Sequence, residues 1–180
     1  MSASGIEKTV EILAAKEALH ELEMAYCRGV DRRDANLLRS IFFEDAVEEH
    51  GEMFRGRAYE FVDWVFGTLL GQYENTTHYV LNEWYKIDGE KAEGETHRVS
   101  YHRYPPPNRT EVIAACRTFN SYERRNGVWK ITHRSVVRDW ITKRTVDDAL
   151  YQGSFGMPLS EPGATDCSYK MLKMFGRHPG

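Results

Sequence analysis

The sequence predicts an α+β fold, a curved antiparallel sheet wrapped with N-terminal helices into a cone with an internal cavity (an α+β barrel). Three observations predict it. The apolar period is about 3.6 as far as Leu70 and changes to 2 from Thr76 onward. Helical and strand patterns are segregated rather than alternating, which favours helices on one face of an antiparallel sheet over a parallel βαβ array. Asp88-Gly89 and Asn126-Gly127 are hairpin turn signals between long strand patterns.

From about Ile6, Val10, Leu13, Leu19, Leu22 and Tyr26 recur at helical spacing, with Ile12, Ala15 and Ala18 widening the stripe and Gly29 as the end signal. Asp34 is the N-cap of a second, shorter helix whose apolar face is Leu37, Leu38, Ile41 and Phe42. Ala46 to His50 reads as a short strand closed by Gly51. Gly56 to Leu70 returns to helical spacing through Phe61, Val65 and Leu69, with Val62, Trp64 and Phe66, and Gly71 ends it. Four strands follow: Thr76–Ile87, Lys91–Tyr104, Thr110–Arg124 and Val128–Thr142, the second stopped by Pro105-Pro106-Pro107-Asn108. Glycines and prolines after Arg144 exclude long regular elements there. Tyr151, Phe155, Met157, Tyr169, Met171, Leu172, Met174 and Phe175 nonetheless need cover. The expected organisation is a cone domain over 1–143 and a tail over 144–180 that packs on the domain or on a neighbouring subunit.

The chain of 180 residues is long enough for one domain with a proper core. A net charge of −3 and a pI near 6.2, without a basic block, argue against nucleic acid as a partner. The longest apolar-rich run, Phe61 to Leu70, is broken by Asp63 and Gly67 and is too short to cross a bilayer. The N-terminal residues lack a basic segment followed by an apolar core, so no secretion signal is expected. Cys27, Cys116 and Cys167 are scattered, with no C-x-x-C, which fits reduced thiols in a cytoplasm; Cys27 and Cys116 read as packing residues.

Asp31 is placed where helix physics disfavours it. A carboxylate at a helix C-terminal end opposes the macrodipole by about 0.3–1 kcal/mol. Either it is solvated and paired with Arg28, Arg32 or Arg33, or it breaks the local rule for a functional reason. His78 lies early in a strand; strict alternation puts His78, Val80, Asn82 and Trp84 on one face and Tyr79, Leu81 and Tyr85 on the other. Imidazole is the side chain suited to proton transfer near neutral pH, although a strand histidine is also commonly structural. Arg134 and Arg138 share a face with Val136 and Trp140, either solvated or lining a polar patch of the cavity. The remaining histidines (20, 50, 97, 102, 133 and 178) show no metal-ligand spacing, and there is no P-loop, G-x-G-x-x-G or G-x-S-x-G. No metal or cofactor is expected.

The pattern Tyr26-x4-Asp31-Arg32-Arg33, Asn75-Thr-Thr-His78-Tyr79 and Tyr122 to Lys130 resembles the SnoaL-like branch of the nuclear transport factor 2-like superfamily over residues 10–142. Within it the chain looks most like bile acid 7α-dehydratase, hexachlorocyclohexane dehydrochlorinase and scytalone dehydratase. The resemblance implies that Asp31 and His78, 47 residues apart, form a catalytic Asp-His dyad. By the same resemblance Tyr26 falls on a catalytic tyrosine or lysine, and Arg138 and Arg134 fall on the active-site arginines of two different relatives. The chain departs from those families in its long tail and its Pro-rich hairpin connection.

The implied function is a cofactor-independent lyase that eliminates water, or formaldehyde by retro-aldol-type cleavage, from a hydrophobic cyclic or aromatic substrate. Trp64, Asn82, His102 and Asn120 are the expected substrate-binding residues. An isomerase or polyketide cyclase, or an accessory subunit like that of ring-hydroxylating dioxygenases, are the alternatives. Lyase relatives and the apolar tail imply a homo-oligomer, a trimer first and a dimer otherwise.

Overall fold

The computed structural model describes residues 3–107, 109–147 and 156–178. Helix α1 (Ala3–Asp31) is followed by α2 (Ala35–Ser40), β1 (Phe42–Glu49), β2 (Arg55–Arg57) and α3 (Ala58–Trp64). Then come β3 (Asn75–Asp88), β4 (Lys91–Arg103), β5 (Thr110–Arg125), β6 (Val128–Thr145) and the short α4 (Ser168–Met171). The helices-then-sheet order is as expected. The six strands run in the order β2-β1-β6-β5-β4-β3, without closure between the end strands. The sheet is mixed rather than purely antiparallel, because β1 pairs parallel to β6. Helix α1 packs across β3 and β6, turning the open sheet into a cone. Among the described residues no helix is long and apolar enough to cross a membrane.

Helix α1 runs two residues past Gly29. That glycine does not end the helix; it lets α2 approach, since a Cβ there would come within 3.2 Å of Leu38 backbone and side-chain atoms. The left-handed residue after the helix is Arg33, at φ 52°. Only part of the predicted stripe is core: Ala15, Leu19 and Tyr26 are buried, joined by Cys27 and Val30 from outside it, while Val10, Ile12 and Leu13 are exposed. Asp34 caps α2 as expected, accepting from the Leu37 N–H at 3.1 Å. Phe42 belongs to β1, not to α2. The predicted Gly56–Leu70 helix begins as strand β2, and after α3 it widens to a π-type turn at Val65–Leu69 and tightens to a 3₁₀ turn at Leu70–Gln72.

Register decides which side chains face the cone interior. Inner rows across the four long strands include His78–Ser100–Ala114–Ile141, Val80–Arg98–Cys116–Arg138, Glu83–Thr96–Thr118–Val136 and Tyr85–Gly94–Asn120–Arg134. The Val80 and Glu83 rows are separated by a bulge in β3. One extra residue in a strand sends everything after it to the other face. Asn82 and Trp84 are therefore exposed on the outside, and Tyr85 is inside. A second bulge, in β6, leaves Asp139 outside the register with β5, between Arg138 and Trp140. Arg134, Val136 and Arg138 face inward as expected, but Trp140 points out and Ile141 takes its place.

The described tail docks on the turn after α1. Arg177 donates to the carbonyls of Arg32 and Arg33 at 3.2 and 2.6 Å, and the His178 N–H donates to Asp34 at 3.0 Å. Arg28 lies over the rings of Tyr169 and Phe175, at 5.1 and 5.0 Å. Buried Asp166 pairs with Arg32 at 3.6 Å. Met157, Met171, Leu172, Met174 and Phe175 are exposed; Tyr151 and Phe155 lie outside the described residues.

Gly94 pairs with Tyr85 across the sheet, and an added Cβ would sit 2.6 Å from the Tyr85 ring. That ring is buried and cannot swing away freely. Gly94→Ala is expected to destabilise the fold by about 1–3 kcal/mol, the usual cost of overpacking a core. Urea denaturation followed by tryptophan fluorescence measures it.

Candidate active site

A cavity of about 440 Å³ opens between the sheet and the α3 segment, within the range of small-molecule sites. Phe61, Val65, Leu69 and Leu70 form one wall, and Val112, Ala114 and Val136 supply apolar patches on the sheet side.

His78 stands in this wall with Asp31 behind it. Its Nδ1–H donates to Asp31 Oδ1 at 2.7 Å, and its own main-chain N–H donates to Oδ2 at 2.8 Å. A carboxylate only accepts, so Nδ1 carries a hydrogen; in the neutral ring the lone pair is then on Nε2. Both residues are largely buried. The α1 stripe that buries Val30, followed by the turn at Arg33, aims Asp31 at β3. Arg32 and Arg33 are engaged elsewhere: Arg33 donates to the Val30 and Leu70 carbonyls and to Thr76, at 2.8, 3.2 and 2.9 Å. The carboxylate is therefore not a solvated partner of the neighbouring arginines.

Tyr26 lies one turn back on α1, its ring edge-on to His78 with centroids 6.4 Å apart. The guanidinium of Arg134 covers the ring at 3.6 Å and that of Arg98 at 4.5 Å. Burial pushes the phenol pKa upward despite Arg134, so Tyr26 is a neutral hydroxyl. Arg138 lines the cavity on the exposed side, in the row of Arg98 and Cys116. His102 lines it too, perpendicular to His78 at 5.4 Å and against Tyr73 at 4.7 Å. Burial above all, and then His78, push its imidazole down to about 3, so it stays neutral at physiological pH.

Three expected substrate-binding residues fall elsewhere. Trp64 turns from the cavity to Phe54 and Phe61, at 5.5 and 6.0 Å. Asn82 is outside because of the β3 bulge. Asn120 faces inward but below the cavity floor, donating to Glu23 Oε1 at 2.7 Å. Glu23 is fully buried; it also accepts from the Tyr122 hydroxyl at 2.7 Å and pairs with Arg98. Arg98 loses basicity to burial first and then to Arg134. On the other side Arg134 approaches Glu48 at 3.4 Å. The floor is thus two buried carboxylates and two buried guanidiniums, with Tyr26, Arg98 and Arg134 all reaching the cavity.

His50, Tyr73, Arg98, Ser100 and Cys116 line the cavity without having been expected to. Cys116 is half-buried there rather than packed in the core, and burial raises its thiol pKa. The row containing His78 was available from the sequence only with the register of β4 and β5, which would have placed Ser100 and Ala114 beside it.

Residues 11–135 match the model of the SnoaL-like domain. Over 134 residues the chain is 30% identical to hexachlorocyclohexane dehydrochlorinase 1 of Sphingobium indicum, spanning 72% of this chain and 85% of that protein. The fold is that of a type 2 LinA hexachlorocyclohexane dehydrochlorinase, at TM-score 0.68 and 23% identity over 87% of this chain and 99% of that one. It is also that of a scytalone dehydratase candidate from Novosphingobium aromaticivorans, at TM-score 0.66 and 21% identity over 77% and 93%. Cone, helices and matched residues agree: the chain belongs to the SnoaL-like family of the nuclear transport factor 2-like superfamily.

Proposed function

We propose that the chain is a cofactor-independent lyase that eliminates a small group from a hydrophobic cyclic or aromatic substrate, with His78 as general base. The observation that supports this is the two-point hold of Asp31 on His78 at the cavity wall. Asp31 fixes the ring and stabilises the imidazolium that forms when Nε2 takes a proton from carbon. Arg138 and Arg134 supply positive charge against the negative charge that develops on the substrate, and Tyr26 supplies a neutral hydroxyl. His102, uncharged beside His78, contacts substrate without competing for the proton. The dehydrochlorinase relative fits an elimination. Water is the first choice of leaving group and formaldehyde the second. An accessory subunit would have no use for a buried carboxylate holding an imidazole in a cavity. We place the protein in the cytoplasm.

Self-assembly is part of the proposal. The outer rows Tyr79–Val99–Ala115–Trp140 and Trp84–Glu95–Phe119–Ser135 expose Tyr79, Trp84 and Trp140, with Leu81 in the bulge between them. Large apolar side chains grouped on one sheet face mark an interface. A trimer is the first choice, a dimer the second, with the tail over 144–180 packing on its own domain or across that boundary.

Nitrobenzisoxazole opens when a base removes one carbon-bound proton and needs no other group. His78→Ala is expected to slow that opening about 10²–10⁴-fold, and Asp31→Asn less, with circular dichroism unchanged. A wild-type rate in His78→Ala would remove His78 as the base. Light scattering of Trp84→Glu combined with Trp140→Glu should give monomers; an unaltered assembly would move the interface off this face.

A further inference from the structure

His50 repeats the arrangement of His78 from the other end of the sheet. It follows β1 and opens the tight turn to β2, its N–H donating to the Phe54 carbonyl at 2.8 Å. Its ring stacks on Phe61 at 4.8 Å, with 13° between the planes, and lines the cavity. Behind it Nδ1 lies 2.9 Å from Glu48 Oε1, without the alignment of a hydrogen bond. Glu48 is fully buried, and Arg134 approaches the same oxygen. β1 and β3 are separated by β6, β5 and β4, yet curvature brings both imidazoles to one cavity. Each has a buried carboxylate at its back. Proton abstraction by His78 leaves the second pair unused.

We infer that His50 is the proton donor to the leaving group, and that this group is a hydroxyl. The inference rests on His78 acting as base in the reaction proposed above. His50 enters as imidazolium against Glu48, and His78 enters neutral. Nε2 of His78 takes the proton from carbon, and the C–H electron pair becomes the new double bond. The C–O bond breaks with its pair on oxygen, and the His50 proton joins that oxygen to release water. His78 ends protonated and His50 neutral, and exchange with water resets both. Hydroxide leaves poorly without a proton, whereas chloride needs none, so a dedicated donor serves a hydroxyl. Other cavity groups are poorer donors: burial raises the phenols of Tyr26 and Tyr73 and leaves His102 without a proton to spare.

The test compares the β-hydroxy and β-chloro ketones that both yield benzylideneacetone, followed by its ultraviolet absorbance. His50→Gln is expected to slow the hydroxy ketone about a hundredfold and to leave the chloro ketone near the wild-type rate, which also certifies the fold. In His50→Ala, added imidazole should restore hydroxy ketone turnover. Equal losses on the two ketones, or wild-type turnover of the hydroxy ketone by His50→Gln, would overturn the inference. His78→Ala should slow both ketones; if it slows neither, the base assignment fails, while the His50 comparison still reads on its own.

Discussion

Asp31 holds the end of a helix, the edge of a sheet and a histidine ring at once. β3 is the last strand of an open sheet, and an edge strand presents main-chain N–H groups with no neighbouring strand to receive them. One such N–H, that of His78, is met by Asp31 Oδ2, while Oδ1 takes the ring of the same residue. Two donors on one carboxylate offset the unfavourable end of the α1 dipole, since hydrogen bonds to a charged group contribute about 1.5–3 kcal/mol each. The bond that orders the ring also fixes the strand carrying it. Ring and backbone cannot drift apart, so Nε2 stays aimed at the cavity.

The floor beneath depends on charge balance rather than on apolar packing. Glu23 meets Arg98 and Glu48 meets Arg134, all four side chains buried. Removing one partner from such a set leaves an uncompensated charge out of water, at a cost of about 3–5 kcal/mol. The arginines also cover Tyr26, so the same charges that hold α1 to the sheet set the surroundings of a hydroxyl beside His78.

Periodicity made the helix-to-sheet order, the four long strands, the Asp34 cap and both hairpin turns legible. Asp31 and His78 were legible through the family pattern. What sequence alternation could not show was where it slips. A bulge after Val80 sends Asn82 and Trp84 outward, and the one at Asp139 exchanges Trp140 for Ile141. Neither position carries a glycine or proline to flag it. Glu23 and Glu48 look like surface residues because a charged side chain in the core is readable only with its partner, and Arg98 and Arg134 are 75 and 86 residues further along the sequence. Trp64 and Asn120 have the right chemistry on elements beside the cavity, but one turns to Phe54 and the other lies a layer too deep.

The docked tail gives the site a tether from far along the sequence. Arg177 donates to the carbonyls of Arg32 and Arg33, in the turn that follows Asp31 directly in the chain. These carbonyls belong to the turn between α1 and α2, just past the last helical residue. A residue near the far end of the sequence thus holds the turn after the first helix, next to the point from which the carboxylate is aimed. Strain applied to the tail reaches the Asp31 backbone through one or two peptide units, a shorter path than any through the sheet.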